Sequence, residues 1–192
     1  MGIRREMLNH FESRTKRHIE LVCKYIDRIV EYNSVFKKLA DRKINHDKSK
    51  FEAPEKEPYI YTTWKYKCEA EGKNWKDNFQ MPEDIQNKMI EATIHHIIAN
   101  KHHPEYWDKN FDANAMFNTE NRDGVPKQMV DGTAMGTISI AEMIADWCAV
   151  SEERKTNPMD WLNMNVNKRW EFNEMQVKVM KKLINEIWKD GK

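Results

Sequence analysis

The chain has 192 residues, which is enough for one compact domain with a core. Its composition of 40% apolar and 33% charged residues excludes an intrinsically disordered polymer. The 32 basic and 31 acidic side chains nearly cancel to a net charge of +1, so no overall positive field attracts a long nucleic acid or an anionic membrane. No apolar run approaches the roughly 20 residues needed to span a bilayer, and the charged N-terminal segment differs from a signal peptide.

The first part of the chain has the apolar spacing of helices. The longest pattern predicts a helix over about residues 4–32 and places His18 on its inward face. A shorter helix is expected after Ser34, which is a favourable N-cap residue. The pair His46-Asp47 follows this helix, so we expect it at a helix junction.

Prolines divide the middle of the chain. Residues 59–68 follow Pro54 and Pro58, are rich in aromatic side chains and are predicted to be helical. Residues 72–80 are predicted to form a polar loop. A helix is then predicted over residues 82–100, because a proline and two acids at its start suit the first helical turn and the positive end of the helix dipole.

The C-terminal part combines an irregular segment with two helical patterns. Residues 108–136 contain Asn, Asp and Gly, and we predict a long irregular excursion of the kind that often forms a functional lid. Helices are predicted over residues 138–153 and 171–189, and the dipeptide Asn157-Pro158 interrupts the chain between them. Because no internal repeat and no clean strand pair is evident, the sequence predicts an all-α fold and a single helical domain over residues 1–192.

The last helix provides a possible dimer interface, and the cysteines indicate the cellular compartment. The helical pattern predicts Met175 and Met180 on the inward face of the last helix, while exposed Met and Trp side chains of this helix could form the face of a homodimer. Cys23, Cys68 and Cys148 are odd in number and form no CxxC motif. We therefore expect reduced thiols in a cytoplasmic protein.

The dipeptide His46-Asp47 is the most informative motif of the chain. Adjacent His and Asp offer one imidazole nitrogen and one carboxylate oxygen to the same ion, and this mixed pair suits Mn, Fe, Co, Ni or Zn better than a cation that prefers oxygen alone. The pair by itself occurs by chance in many proteins. It gains weight from two histidine doublets and a later aspartate, which are His95-His96, His102-His103 and Asp146.

Helical spacing separates the two members of the first doublet. His96 shares a face with Met89 and is expected to point inward, whereas His95 falls on the polar side. At least one of His102 and His103 can point back to the same pocket, and the spacing does not decide which.

Two acidic residues belong to the helix predicted over residues 138–153. Asp146 lies beside its apolar stripe, where a carboxylate is costly unless it is paired or bound to a metal. Glu142 lies one turn earlier and can accept a hydrogen bond from a ligand histidine or act as a general base. A lone inward histidine is more often a hydrogen-bonded core residue than a ligand. Taken together, these residues predict a metal site with the candidate ligands His18, His46, Asp47, His96, His103 (or His102) and Asp146.

The order of these residues resembles that of the HD-domain superfamily of metal-dependent phosphohydrolases. An early helical histidine, a His-Asp pair and a late aspartate match its four core positions, which in this chain are His18, His46, Asp47 and Asp146. Lys50 matches the lysine of the HD-x-x-K form. The segments 46–51, 102–107 and 142–147 are more specifically similar to an uncharacterised phage and bacterial branch of the superfamily, and the likeness covers roughly residues 10–190.

The resemblance implies an HD-type helical domain that hydrolyses a phosphate ester of a small phosphorylated substrate, most simply a nucleotide. One or two divalent ions would be the cofactor, chosen from Mn, Fe, Co, Ni and Zn, with Mg also possible. Catalytic roles would fall to Asp47, Lys50 and Glu142. Substrate contacts would come from Lys50, His102, Tyr106 and Trp107, although such aromatic residues are more often ordinary core residues. The additional histidines lie closer together in the sequence than those of two-metal members, which argues against a second metal. The histidines of the two doublets can contact a substrate phosphate instead.

Two other functions stay open at this point. Similar His/Asp sites in a few HD-fold proteins hold two irons and activate dioxygen, so the same residues permit an oxygenase. A domain that binds a nucleotide or a protein partner without catalysis is the other alternative, although the intact His46, Asp47 and Asp146 argue against a degenerate site.

Overall fold

The computed structural model describes residues 3–78, 82–113 and 128–189, and its architecture is all-α, as predicted. The α-helices of this part are α1 (Arg5–Tyr32), α2 (Lys56–Ala70), α3 (Trp75–Asn78), α4 (Ile85–Ala99), α5 (Thr137–Arg154), α6 (Pro158–Asn165) and α7 (Glu174–Ile187). Shorter 3₁₀ helices cover Ser34–Arg42, Lys48–Phe51 and Pro104–Tyr106. A small parallel ladder joins β1 (Val130–Asp131) to β2 (Trp170–Glu171), which corrects the expectation that the chain has no strand pair.

Apolar periodicity located the long helices correctly, and the differences lie at their starts. The helix α1 begins at Arg5, and α5 includes the predicted residues 138–153. The helix α2 begins before the predicted segment, because Pro58 lies in its first turn, where a proline leaves no helical hydrogen bond unmade. The helix α4 begins later than predicted, because Pro82 belongs to a turn in which its carbonyl accepts from the N–H of Ile85 at 3.1 Å.

Several helix starts depend on asparagine caps that the sequence prediction assigned differently. The segment after Ser34 is a 3₁₀ helix, and its N-cap is Asn33, whose side chain accepts from the N–H of Val35 at 3.0 Å. Asn157 caps α6, so the Asn157-Pro158 dipeptide starts a helix instead of only interrupting one. The last helix begins at Glu174, later than predicted, because Asn173 forms a capping box at its start.

The excursion predicted over residues 108–136 falls partly outside the described residues, which omit 114–127. Its end contains β1, after which the N–H of Gly132 donates to the carbonyl of Glu171 at 3.0 Å. A Cβ at Gly132 would lie 2.5 Å from the ring of Phe172, so the close approach of this backbone requires glycine. The polar loop predicted over residues 72–80 contains the short helix α3.

The chain forms two compact units. The first unit consists of Met1–Arg17 and Asp47–His96, and the second of His18–His46 and Ile97–Lys192. The prediction of one domain over residues 1–192 stays a prediction. The first unit has its own core, made of Met7, Phe11, Ile60, Tyr61, Trp64, Cys68 and Ile85.

The second unit is built around α5. This helix packs against the 3₁₀ helix Ser34–Arg42, against α6 and against α7. Its apolar side chains are buried on nearly all sides, as expected of a central helix, and they include Ile140, Ala141, Met143, Ile144, Ala145, Trp147 and Cys148. Glu142 of α5 is therefore held in the interior of this unit, whereas the other acids of the helix are partly exposed.

The last helix faces this core with Met180, which is fully buried as predicted. Met175 was predicted to face inward, but its side chain is 67% exposed, because it lies in the first turn of α7 and on the side away from Met180. Within the described residues, no helix is both long and apolar enough to cross a membrane. The three cysteines are free thiols, and Cys68 and Cys148 are buried.

Candidate metal-binding clusters

His46 and Glu142 form a buried pair in the second unit. Nδ1 of His46 lies 3.1 Å from Oε1 of Glu142, and both side chains are almost completely shielded from solvent. We assign the N–H of the ring to Nδ1, because the carboxylate can only accept, and this tautomer leaves the lone pair on Nε2. Glu142 thus contacts a histidine, as one of the two expectations for it requires, and the role of this histidine as a metal ligand stays a prediction.

Arg42 also contacts Glu142, and the sequence analysis did not predict this contact. Its Nη1 donates to Oε2 of Glu142 at 3.3 Å, and its backbone carbonyl accepts from the N–H of His46 at 3.0 Å. A buried carboxylate is costly unless its charge is compensated, and the guanidinium provides a permanent positive charge. The only sequence signal was the position of Arg42 four residues before His46, which is one helical turn.

His102 lies next to the same carboxylate. Its Nδ1 is 3.6 Å from Oε1 of Glu142, and its ring centroid is 4.4 Å from that of His46. One ligand atom from each of His46, His102 and Glu142 lies within 4.8 Å of the others, so these residues could hold a metal ion. His103 is the extended residue before Pro104, as predicted, and its ring lies 4.3 Å from that of His102. Its role as a ligand stays a prediction.

His18 belongs to α1 and faces two acids of α5. Its Nε2 is 3.0 Å from Oδ1 of Asp146, and its Nδ1 is 3.5 Å from Oε2 of Glu153. The ring centroids of His18 and His46 are 6.1 Å apart. His18 is 8% exposed, which confirms its predicted inward position. The side chains of His18 and Asp146, both predicted ligands, are therefore in direct contact.

The first unit contains a second cluster, centred on Asp47. This residue has a left-handed backbone with φ of 55°, and the 3₁₀ helix Lys48–Phe51 follows it. Lys50 donates to Oδ2 of Asp47, as their spacing of three residues allows. Nε2 of His96 lies 3.3 Å from Oδ1 of Asp47, and His96 is 5% exposed, which confirms that it points inward.

Glu55 orients the first histidine doublet and was missed by the sequence analysis. Its Oε2 lies 2.9 Å from Nδ1 of His96, and its Oε1 lies 2.7 Å from Nδ1 of His95. Burial raises the pKa of Glu55, but the hydrogen bonds and charge of His96 and the hydrogen bond from His95 outweigh it, so the pKa is lower than usual. Glu55 lies between two prolines, where no helical periodicity marked it as inward.

Tyr106 and Trp107 were predicted to contact the substrate. Tyr106 is 38% exposed, whereas Trp107 is half-buried against the core of the second unit and donates its indole N–H to the carbonyl of Lys101 at 3.0 Å. Their rings meet edge to face, with centroids 5.3 Å apart. The substrate contacts of these residues, of His102 and of Lys50 stay predictions.

These clusters share a chemical pattern. Each contains a buried carboxylate next to imidazole Nδ1, an arrangement that fixes the orientation of the ring and raises the basicity of its other nitrogen. Buried His, Asp and Glu groups of this kind could hold a metal ion. Their mixed nitrogen and oxygen donors are those that transition metals accept.

Residues 7–189 match the family described as "Family of unknown function (DUF5662)", and the chain belongs to this family. No curated protein and no solved structure matches the chain.

Proposed function

We propose that the protein is a metal-dependent phosphohydrolase that cleaves a phosphate ester of a nucleotide with a metal-activated water. The observation that carries the proposal lies in the second unit, where two histidines predicted as ligands each meet a carboxylate of one helix. His18 lies 3.0 Å from Asp146, and His46 lies 3.1 Å from Glu142. The resemblance to the HD-domain superfamily motivates the choice of reaction.

His18, His46 and Asp146 are the residues of the second unit that would hold the ion. Two imidazole nitrogens and one carboxylate oxygen form a donor set that suits Mn, Fe, Co, Ni or Zn. When bound, a divalent ion lowers the pKa of a coordinated water toward neutrality and thereby supplies a hydroxide nucleophile. Asp47 and His96 stay predicted ligands on the sequence argument.

Glu142 is better suited to orient His46 than to act as a general base. Its Oε1 accepts from Nδ1 of His46, and its Oε2 accepts from Arg42. Both oxygens are thus engaged in hydrogen bonds with protein groups, one with an imidazole and one with a guanidinium. In this proposal Glu142 keeps the lone pair of His46 on Nε2, where an ion can bind it.

Other residues of this chain would recognise the substrate. Lys50 carries a positive charge that can neutralise a phosphoryl oxygen. Tyr106 has the more exposed ring of the aromatic pair and is the better candidate to stack on a nucleobase, because part of the Trp107 surface packs against the core.

The test is a screen for phosphate release from nucleoside mono-, di- and triphosphates and from cyclic nucleotides, with Mn²⁺, Co²⁺, Fe²⁺, Ni²⁺, Zn²⁺ or Mg²⁺. We expect metal-dependent turnover by the wild-type protein. Asp146→Asn and His46→Gln should each lower kcat/KM by about 100-fold or more, because loss of a ligand removes much of the several kcal/mol that a metal contributes to the transition state.

A matched control is His10→Gln, which changes a half-buried histidine of the first unit whose ring meets Trp64 edge to face at 5.9 Å. This variant should keep the wild-type rate. Equal phosphate release by wild type, Asp146→Asn and His46→Gln would overturn the proposal. Iron-dependent oxygen consumption without phosphate release would indicate an oxygenase instead.

A further inference from the structure

Three acidic residues of α5 lie on one stripe of the helix. Glu142, Asp146 and Glu153 follow one another at intervals of four and seven residues, and their full spacing corresponds to about three helical turns. The stripe therefore extends along most of α5. Each of its acids lies within ion-pair distance of a histidine, and these histidines are His46 and His18.

The two glutamates of the stripe face the same ring atom of different histidines. Glu142 lies 3.1 Å from Nδ1 of His46, and Glu153 lies 3.5 Å from Nδ1 of His18. Asp146 instead lies 3.0 Å from Nε2 of His18. Because a carboxylate at Nδ1 favours the tautomer that carries its proton there, Glu153 is on the orienting side of the His18 ring, and Asp146 is on the ligand side.

The neighbouring Glu152 has a different role, although it also contacts α1. Its carboxylate accepts from Lys24 at 2.9 Å and from the hydroxyl of Tyr25 at 2.7 Å. The side chains of His18 and Glu153 are only 10% and 17% exposed, so water screens their interaction less than it would screen a surface pair. Two adjacent acids at the same end of α5 thus have separate partners.

We propose that Glu153 is a positioning residue that holds the ring of His18 with Nε2 toward Asp146 and the metal ion. This inference rests on the proposed function, because it requires an ion bound by His18 and Asp146. It makes Glu153 the counterpart of Glu142 for the other histidine. The helix α5 then supplies one metal ligand, Asp146, and also the two carboxylates that orient the ligand histidines His46 and His18.

The test compares Glu153→Met with the matched control Glu152→Met, using Mn²⁺ titrations of the full-length protein by calorimetry. Methionine has a similar length and accepts no hydrogen bond of comparable strength. We expect Glu153→Met to weaken Mn²⁺ binding by about 10- to 100-fold, the usual cost of losing a carboxylate behind a ligand histidine. Glu152→Met loses its bonds to Lys24 and Tyr25 and should melt at a lower temperature, yet bind Mn²⁺ within about threefold of wild type, since it leaves His18 unchanged.

Two further measurements separate positioning from a general structural role. Glu153→Gln retains an acceptor oxygen and should recover part of the lost affinity, and it also serves if Glu153→Met does not fold. In Zn²⁺-loaded protein with ¹⁵N-labelled histidine, NMR should show His18 protonated at Nδ1 and bound to the metal through Nε2. Glu153→Met should lose this signature, while His46 keeps its own.

Each outcome decides a different claim. Wild-type affinity in Glu153→Met, or an equal loss in Glu152→Met, would overturn the role of Glu153 and leave the proposed phosphohydrolase unaffected. A wild-type protein that binds none of Mn²⁺, Co²⁺, Fe²⁺, Ni²⁺, Zn²⁺ and Mg²⁺ would overturn the proposed function together with this inference.

Discussion

The two units of the chain each bury a glutamate against histidine, but they compensate its charge in different ways. In the first unit, Glu55 is fully buried and contacts Nδ1 of both His95 and His96. In the second unit, Glu142 contacts Nδ1 of His46 and also accepts from Arg42. An imidazole can lose its charge near neutral pH, whereas a guanidinium cannot. The carboxylate of the second unit therefore has a permanent cation beside it, while that of the first contacts two imidazoles and accepts a hydrogen bond from Ser49.

The largest effect is expected when the first unit loses an inner partner. His96→Leu leaves Glu55 with the hydrogen bonds from Ser49 and from His95, whose own side chain is 41% exposed. We expect the free energy of unfolding to fall by about 3 kcal/mol or more, because breaking a buried pair leaves an uncompensated charge. Urea denaturation at pH 7 measures this change. His95→Leu is the matched control and should cost less, and an unchanged midpoint for His96→Leu would show that Glu55 does not depend on that imidazole.

The next largest expected effect is the stabilisation of the folded protein by a metal ion bound to the second unit. Mn²⁺ at 100 times its dissociation constant should raise the free energy of unfolding of the wild-type protein by about 2.7 kcal/mol, provided that the unfolded chain does not bind it. His46→Gln should abolish this gain, whereas His95→Gln, which changes a half-exposed histidine of the first unit, should keep it. Thermal unfolding with and without Mn²⁺, followed by a chelator control, measures the effect. Equal stabilisation of His46→Gln and wild type would exclude His46 as a ligand.

A smaller loss is expected when the permanent cation of the second unit is removed. Arg42→Met deletes the donor to Oε2 of Glu142 and should lower the free energy of unfolding by about 1–2 kcal/mol, since Glu142 keeps its bond to His46. The side chain of Arg42 is 32% exposed, so water screens part of the interaction. Arg42→Lys should recover some of the loss. If Arg42→Met unfolds at the wild-type urea concentration, the guanidinium is not what compensates Glu142.

The smallest expected effect is a pH-dependent change in the free energy of unfolding at a third buried glutamate, Glu105, whose hydrogen-bond partner is neutral. Oε1 of Glu105 accepts from the indole N–H of Trp170 at 2.8 Å. Burial raises the pKa of Glu105, although the bond from Trp170 and the charge of Arg169 act in the opposite direction. The folded state thus binds the proton more tightly than the unfolded chain, and stability falls as pH rises from the unfolded value of about 4.3 toward the raised folded value.

Glu105→Gln removes this titration and keeps an acceptor for Trp170. Relative to wild type, the variant should therefore be more stable at pH 7 than at pH 4, as shown by the difference between their urea midpoints at each pH. A difference that does not change with pH would mean that Glu105 titrates alike in the folded and unfolded states.

Local signals predicted much of the helical framework. Periodicity identified α1, α4, α5 and α7, and helical spacing predicted correctly that His18 and His96 point inward. It failed where a single residue decides a boundary, as at Asn33, Asn157 and Asn173, because several nearby residues could cap each helix. It also missed the ladder of β1 and β2, since strands of two residues carry no detectable alternation.

The candidate site was predicted less completely than the helices. His18, Asp146, His46 and Glu142 were all named from the sequence, and each pair is in contact. The further partners of these residues, Arg42 and Glu153, were not named, and neither was Glu55, which contacts His96. A histidine can be recognised as inward from its own helix, but the acid that meets its Nδ1 comes from another element: Glu142 is 96 positions after His46, and Glu55 is 41 positions before His96.

The amino-acid sequence by itself determined the all-α class, the inward faces of the long helices and the residue types able to bind a transition metal. These properties follow from local periodicity and from side-chain chemistry, which need no knowledge of distant neighbours. Only the tertiary structure decided which nitrogen of each imidazole faces a carboxylate and which charge compensates each buried acid. Those choices depend on distances of about 3 Å between helices, and packing sets such distances through contacts that no local pattern records.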